Sequence, residues 1–387
     1  MPGSVRRSAP ARLPHQRTRS ASWTGAKSLA PATAGDHAGG MGTDGVRIER
    51  VDVADDEAMN TSYAILHAAY TAEHPDDPLP TAPEVIAMAR ATEKSQQLEF
   101  WLMHDGGTAV GTYRLDLPML DNLDFVELAL CVDPPHQHRG HGRALLAHAT
   151  DRIAQLGRHQ VAVGVNEPAD GPPNRATRFA AATGASRSLG EVRRALDLTA
   201  LDTDHLAILR AEAEKASVGY QLVSWTNPCP DDLVDDFAAL YARMSTDAPL
   251  GDLDIEPEHW DSDRVREREA TIEDQGRRQI VTAARVGPDG PLVAFTDVVI
   301  TRHDPVNAFQ WSTLVVKEHR GHRLGALVKL ANLERLVSEA PQARRLHTWN
   351  ADVNSYMISI NEAMGFVVAQ REAVWRLDLA GDAEEAP

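Results

Sequence analysis

Cysteine is scarce in this sequence, since Cys131 and Cys229 are the only two among 387 residues. So few cysteines do not make a disulfide framework, and this usage is typical of a protein from a reducing compartment. Long apolar runs are lacking as well. No stretch approaches the ~18 consecutive apolar residues that a membrane-spanning helix needs. These absences predict a cytoplasmic protein without a membrane partner.

Basic residues are fewer than acidic residues, and the difference is distributed unevenly along the chain. The net charge is −17, but residues 1–45 carry six basic and two acidic side chains, which leaves −21 for the rest of the chain. A body of that charge repels nucleic acid and favours cationic small molecules. Residues 1–45 are rich in Ser, Ala, Pro, Gly and Arg, a composition that predicts disorder. We interpret them as a targeting peptide or as an extension upstream of a start at Met41.

An internal repeat is the main architectural feature of the chain. Val132–Leu146 resembles Val315–Lys329, because each segment has a valine, a polar turn and glycines that open an apolar helix. Gly142 and Gly325 match at an offset of 183 residues, and further matches follow downstream at an offset of 181. Several matches in the same order indicate a duplication.

The duplication predicts two domains with the same order of elements. Each half reads as a strand, two helices around an acidic loop, three strands, a helix after the glycine motif, and then strand, helix and strand. The last strands are predicted at 192–198 and 373–379. The predicted organisation is an N-terminal extension (1–45), a first domain (46–200), a charged helical linker (201–218), a second domain (219–380) and an acidic tail (381–387).

Each copy of the glycine motif lies between a predicted strand and a predicted helix. Glycines allow a tight turn in which consecutive N–H groups point outward at the start of a helix, and together with the helix dipole they bind an anion such as pyrophosphate. A dinucleotide-binding fingerprint would need a third glycine where Leu145 stands, and a P-loop would need Gly-Lys-Ser/Thr, which is absent. Both of these nucleotide sites are excluded.

The first copy resembles the acyl-CoA motif of the GNAT family of N-acetyltransferases, Gln/Arg-x-x-Gly-x-Gly/Ala, with Gln137, Gly140 and Gly142 in place. The second copy has Arg320 but carries Arg323 where the first glycine is usual. We expect Arg323 to adopt the helical conformation of the nest and to place its cation near a phosphate.

The resemblance covers each half almost end to end. It implies an α/β protein of two tandem GNAT folds, each a mixed, mostly antiparallel sheet flanked by helices. It also implies acetyl-CoA as cosubstrate, with its pantetheine arm beside the strand before each motif. The residues that it assigns to acetyl-CoA binding are Cys131, Val132, Gln137, His138, Arg139, Gly140, His141, Gly142 and Arg143 in the first half, and Leu314, Val315, Arg320, Gly321, His322, Arg323, Leu324, Gly325, Asn350 and Asn354 in the second.

Residues 350–366 resemble the family segment Asn-x-x-Ala-x-x-Leu-Tyr-x-x-x-Gly-Phe. The tyrosine that often protonates the departing CoA thiolate is replaced by Asn361 in the second half and by Ala180 in the first. Tyr356 lies beside the missing position. Because the first half departs further from this segment, we expect the second half to be the catalytic one, with Asn361 and Tyr356 at the acetyl end.

Two further features bear on catalysis and on the acceptor. Glu127 lies on the strand before the first motif, where some members of the family carry a general base, whereas Gln310 at the matching position of the second half cannot be one. A solvated strand carboxylate is the alternative for Glu127. The acidic loops between the first two helices would attract a polyamine or an aminosugar, or they are solvated loops. The candidate substrate residues are Asp76, Asp77, Asp247 and Asp252.

Neither the histidines near the motifs nor the tryptophans of the second half predict a site. The histidines near the motifs have no carboxylate or cysteine at ligand spacing, so we expect no metal. Trp311, Trp349 and Trp375 lie on predicted strands, and we expect them in the core.

The sequence thus predicts an acetyl-CoA-dependent N-acetyltransferase that acts on a primary amine of a small, cationic molecule. A non-catalytic acyl-CoA-binding protein is the first alternative, because both tyrosines are missing. A transferase that uses another acyl donor is the second. The oligomeric state is open.

Overall fold

The computed structural model describes residues 45–168, 172–247 and 256–379. The predicted disorder of residues 1–44, the acidic tail 381–387 and Asp252 lie outside this part of the chain. Within these ranges the first half contains six strands and four α-helices: β1 (Val46–Arg50), α1 (Asp56–Thr71), α2 (Ala82–Arg90), β2 (Gln96–Asp105), β3 (Thr108–Pro118), β4 (Phe125–Val132), α3 (His141–Gln155), β5 (Gln160–Glu167), α4 (Arg175–Ala182) and β6 (Ser186–Asp197).

The second half repeats this order after a connecting helix, α5 (Thr203–Ala216). Its elements are β7 (Tyr220–Thr226), α6 (Val234–Asp247), α7 (Ser262–Asp274), β8 (Arg277–Val286), β9 (Leu292–Thr301), β10 (Asn307–Val315), α8 (Leu324–Glu339), β11 (Arg345–Ala351), α9 (Ser355–Ala363) and β12 (Val367–Asp378).

Helix α3 shows how local sequence sets the bounds of an element. It begins after Gly140, which has a φ of +90°, and ends before Gly157, which has a φ of +66°. Glycine adopts both conformations without the steric penalty of a Cβ. Between these ends Leu145, Ala149 and Ile153 are fully buried on one face, the spacing of a helix that packs on a sheet.

The twelve strands of the described residues form one sheet, in the order β1-β2-β3-β4-β5-β12-β6-β11-β10-β9-β8-β7. The last strands of the halves are exchanged. Strand β12 of the second half lies between β5 and β6, where Val374 is opposite Gly164 on one side and Leu189 on the other. Strand β6 of the first half in turn pairs with β11. The predicted boundaries between domains stay a prediction, but the sheet itself is continuous across them.

The exchanged strands are longer at their start than the sequence suggested. Strand β6 begins at Ser186 and β12 at Val367, six residues before the predicted 192 and 373. The additional residues of β12 pair with β6, since Val367 lies opposite Ala195. Ladder partners from the other half therefore extend both strands. Among the described residues, no helix is long and apolar enough to cross a membrane.

The exchanged strands carry a buried polar cluster around Arg193. Its guanidinium donates to Nδ1 of His347 on β11 at 3.1 Å and forms an ion pair with Asp77 from the loop after α1. Because Nδ1 of His347 accepts, Nε2 carries the proton and donates to Oδ1 of Asn307 at 2.8 Å. Burial, and then the charges of Arg193 and Arg345, lower the pKa of His347 to about 3. The imidazole is therefore neutral at ordinary pH.

This neutral histidine predicts a pH dependence of stability. An unfolded histidine titrates near pH 6.5, so below that pH the unfolded state binds the proton that folded His347 refuses, and stability falls. His347→Gln keeps one acceptor and one donor but does not titrate. Between pH 7 and pH 5 we expect the loss in free energy of unfolding to be smaller in the variant by about 2 kcal/mol, measured by denaturant titration.

His259→Gln is the matched control, because that side chain is 84% exposed. It should show the wild-type pH dependence. Equal slopes for wild type and His347→Gln would mean that His347 does not stay neutral in the folded protein.

Candidate active site

Two connected cavities lie along the inner face of β4 and β5. The outer cleft, of about 560 Å³, is bounded by the start of α3 and by α4. The inner chamber, of about 280 Å³, lies between the two halves of the sheet. The cavities share five lining residues, which we call the junction: Tyr70, Leu130, Cys131, Gly164 and Asn166.

The junction lies where β4 and β5 separate. The two parallel strands pair from Phe125 to Glu127 on β4 and from Gln160 to Ala162 on β5. Beyond Ala162 the strands diverge. A Cβ atom built on Gly164 meets nothing within 4 Å, because this face of β5 is cavity. This opening in the sheet, which we call the passage, lies beside the residues that line both the cleft and the chamber.

The first nest, residues 137–143, forms one end of the outer cleft. His138 and Gly140 both have positive φ angles, +63° and +90°, and this alternation turns successive N–H groups toward the cleft. Nε2 of Gln137 donates to the carbonyl of Val132 at 3.0 Å and ties the turn to the end of β4. Most predicted residues of this half line the cleft: Cys131, Val132, Gln137, His138, Gly140, Gly142 and Arg143.

Two predicted residues of the first half point elsewhere. Arg139 donates to the carbonyl of Pro135 at 3.2 Å, and His141 is buried with Nε2 3.4 Å from a carboxylate oxygen of Asp105. Arg175 was not predicted, but it lines the cleft and donates to Oε1 of Gln137. The sequence does not indicate this role, because Arg175 reaches the nest only through the packing of α4 beside it.

The second nest, residues 320–325, has positive φ angles at the same two positions of the turn, but its glycine occupies the first of them and not the second. Gly321 has a φ of +90° and Arg323 a φ of +52°. The expectation of a helical Arg323 was therefore wrong, and this left-handed conformation costs an L-residue about 1–2 kcal/mol. Its guanidinium forms an ion pair with Glu212 on α5 and does not turn into the nest. Nε of Arg320 donates to the carbonyl of Val315 at 3.1 Å, as Gln137 does to Val132.

The other predicted residues of the second half have mainly structural contacts. Nδ2 of the fully buried Asn361 donates to Oδ1 of Asn350 at 2.6 Å, so the two amides bind each other. Asn354 caps α9 by accepting from the N–H of Met357, as Asn174 caps α4. The side chains of Leu314, Val315 and Leu324 are buried in the core, His322 lies beside Tyr220, and Tyr356 is 49% exposed and lies beside Gly325.

A polar network occupies the interior of the second half. Oε1 of Gln310 accepts from Nζ of Lys329 at 2.8 Å, and burial lowers the pKa of Lys329 to about 7. Strand β10 has a bulge after Gln310, where the backbone N–H of Ser312 donates to Oδ1 of Asp297 at 2.7 Å. The N–H group that the bulge turns out of the ladder is thus already bound by a buried carboxylate.

The inner chamber takes its walls from both halves. Glu127 lies on its β4 side, and Phe309, Trp311 and Trp349 lie on the second-half side. Trp311 is 6% exposed and packs in a core cluster with Ile272 and Val299, as expected, and it also lines the chamber. Trp349 is only half-buried, because it faces the chamber. Trp375 is 8% exposed and lies in the core as expected.

Burial controls the ionisable groups around the passage. It raises the pKa of Cys131 to about 11, so the thiol is protonated at neutral pH and cannot act as a nucleophile. Burial, and then the charge of Glu372, raise the pKa of Tyr70, whose hydroxyl donates to Asp77 at 3.3 Å. On β3, burial raises the pKa of Asp116 to about 6, although Arg114 forms an ion pair with it.

The acidic loop residues have different surroundings. Asp76 is exposed, whereas the charge of Asp77 is matched by Arg193. Asp247 ends α6, and its side chain, like all of Asp252, lies outside the described part. No group of three or more potential metal ligands occurs in the parts of the chain that the structure describes.

Known GNAT proteins are similar to this chain in sequence and in fold. Residues 60–171 match the profile described as the Acetyltransferase (GNAT) family. A tandem GNAT protein from the clavulanic acid biosynthesis pathway has 29% sequence identity and a TM-score of 0.70, over 86% of this chain and 98% of that one. No functionally curated protein matches the sequence.

Two other solved structures share the fold at low identity. A GCN5-related N-acetyltransferase from Sphaerobacter thermophilus has 14% identity and a TM-score of 0.57, over 87% of this chain and 96% of that one. The glucosamine N-acetyltransferase region of a fungal multi-domain β-N-acetylglucosaminidase has 14% identity and a TM-score of 0.60, over 90% of this chain and 38% of that one. The predicted α/β fold, two tandem GNAT folds, is confirmed, and residues 60–171 form a domain of the GNAT acetyltransferase family.

Proposed function

We propose that this protein is an acetyl-CoA-dependent N-acetyltransferase, and that the outer cleft and inner chamber of the first half are the donor and acceptor sites of one reaction. The observation that carries the proposal is the junction, because five residues line both cavities. A donor in the cleft and an acceptor in the chamber would meet there. Holding two reactants in contact removes much of the entropic cost of their encounter.

The first half has the chemistry to hold acetyl-CoA. The nest offers outward N–H groups at the positive end of α3, and Arg143 and Arg175 add cations on the walls of the same cleft. The absence of a side chain at Gly142 keeps α4 close, since a Cβ there would lie 3.4 Å from the ring of Phe179. Acetyl-CoA supplies the acetyl group as an activated thioester.

Transfer requires movement of two protons as well as the acyl group. The neutral amine nitrogen forms a bond to the carbonyl carbon, the carbon–sulfur bond breaks, the amine loses one proton and the sulfur gains one. Glu127 lines the chamber and is the base that the sequence predicts. N–H groups of β4 beyond its pairing with β5 can stabilise the carbonyl oxygen.

The phenol of Tyr70 is the junction group that can donate a hydrogen bond to the departing sulfur. It lies on α1 and not at the usual position on α4, which Ala180 occupies. Its raised pKa keeps the hydroxyl protonated at neutral pH but makes it a weaker acid than a thiol, so it does not protonate the sulfur. The sulfur gains the proton that the amine gives up to Glu127.

The sequence favoured the second half as catalytic, and that preference stays a prediction. Two contacts favour the first half instead. In the second half the bulge N–H of Ser312 is bound by Asp297, and Gln310 in place of Glu127 accepts from Lys329. In the first half, β4 instead carries Glu127 on the wall of the inner chamber.

The matched substitutions Gly142→Glu and Gly325→Glu identify the working nest. A carboxylate in the first helical turn is favourable for the helix but repels phosphate. We expect Gly142→Glu to lower amine-dependent thiol release from acetyl-CoA by about 100-fold, and Gly325→Glu to have a smaller effect. The assay follows release of free thiol over a panel of primary amines.

Two outcomes would contradict the proposal. Loss of activity in Gly325→Glu alone would place the reaction in the second half. Binding of acetyl-CoA without release by any amine would indicate an acyl-CoA-binding protein that has no transferase activity.

A second test blocks the passage itself. Gly164→Val places a side chain in the open space of the junction, and the extended backbone tolerates it. We expect kcat to fall about 100-fold, since small displacements of reacting groups cost that much. Gly164→Ala should show a smaller loss. An unchanged kcat in Gly164→Val would exclude the junction as the place of transfer.

A further inference from the structure

Two aromatic side chains of the second half are only half-buried, although they lie in the middle of the sheet. Phe309 is on β10 and Trp349 is on β11, and each of these strands has a neighbour on both sides. Both side chains line the inner chamber, which leaves part of each ring open to it. Covering apolar surface of this kind is favourable. The chamber therefore favours a ligand with an apolar part.

The two rings form a nearly flat surface, which we call the aromatic wall. The ring centroids of Phe309 and Trp349 are 6.3 Å apart, and the ring planes differ by 22°. Phe309 also stacks with His347 and packs against Trp311 in a core cluster. Nε1 of Trp349 donates to Oε1 of Glu372 at 2.9 Å. The aromatic wall is therefore held in place before a ligand binds.

The loop between α1 and α2 of the first half adds further apolar surface to the same chamber. Residues 78–80, Pro-Leu-Pro, line it. Proline fixes its own φ and restricts the residue before it, so this segment has few conformations. The loop is bound at both ends, because Asp77 forms an ion pair with Arg193 and the N–H of Thr81 donates to Oε2 of Glu84 at 2.9 Å. The chamber is thus preformed, which lowers the entropic cost of binding.

A planar ring fits these surfaces better than an alkyl chain or a sugar does. Stacked aromatic rings attract each other beyond the effect of the area that they bury, whereas an alkyl chain gains from area alone. A sugar would place hydroxyl groups against Phe309, Trp349 and the two prolines, and a buried hydroxyl without a partner is costly. At about 280 Å³ the chamber is near the lower end of ligand pockets, which suits one ring on a short chain.

We propose that the acceptor is an arylalkylamine, a primary amine joined to an aromatic ring by a short chain, and that Trp349 of the second half selects the ring. The ring lies on the aromatic wall, and the chain leads the amine toward Glu127 and the junction, which line the same chamber. This names the substrate class of the proposed function and rests on that function for the reaction. Binding of the ring in the chamber does not require transfer.

The test compares two amines that differ only in the ring. Phenethylamine and cyclohexylethylamine have the same chain and the same charge, but only the first has a planar, aromatic ring. Binding is measured by calorimetry without acetyl-CoA, so that no turnover occurs. We expect wild type to bind phenethylamine about fivefold more tightly, as a stacked aromatic pair predicts. In Trp349→Leu that preference should disappear. Trp349→Phe keeps a smaller ring in the same place and should retain only part of the preference.

Val337→Ala is the control, because it removes an apolar side chain of the same half from α8, at a position that is 44% exposed and outside the described chamber walls. It should keep the full preference for phenethylamine. Thermal unfolding of each variant checks that it is folded. If Trp349→Leu does not fold, Trp349→Phe provides the comparison, since it preserves an aromatic ring beside Phe309.

The outcomes separate this proposal from the proposed function. Equal affinity of wild type for both amines, tighter binding of the saturated ring, or binding of neither amine overturns the selection of an aromatic ring, even if thiol release shows transfer to another amine. An unchanged preference in either Trp349 variant overturns it as well. Trp349-dependent binding of phenethylamine without thiol release would leave the ring site standing and remove the transferase.

Discussion

Exchange of β6 and β12 is the constraint on which the rest of this structure depends. Neither half completes its sheet with its own last strand, because β12 lies between β5 and β6 while β6 pairs with β11. Backbone groups of a central strand must find partners on both sides. The exchanged strands therefore bind the halves through ladder hydrogen bonds, and the duplicated chain becomes one sheet. The inner chamber lies along this seam.

The seam contains buried polar groups, and each of them is bound to a particular partner. Arg193 joins the loop of the first half, through Asp77, to β11 of the second half, through His347. Such groups are tolerated in the interior because they are bound to each other. Glu191 and Glu372 lie opposite each other on these strands and line the inner chamber. The same two strands thus make the structural seam and one wall of the chamber.

Duplication preserved the backbone of the two nests but not the surroundings. Positive φ angles recur at His138 and Gly140 and at Gly321 and Arg323, so the same turn is made with the glycine at different positions. The interiors diverged further. Where the first half has a chamber lined by Glu127, the second has Gln310 bound to the buried Lys329. Equal folds therefore do not imply equal sites.

The sequence alone determined the duplication, the order of elements, the α/β class and the first nest, because these depend on local signals: glycine spacing, strand and helix periodicity, and motifs that repeat at a fixed offset. It did not reveal the exchange, because β6 and β12 have the same pattern whichever sheet they join. For the same reason it missed Tyr70 and Gly164, and it placed the half-buried Trp349 in the core. Only the pairing of strands distant in sequence brings these residues together, and that pairing is decided by tertiary packing.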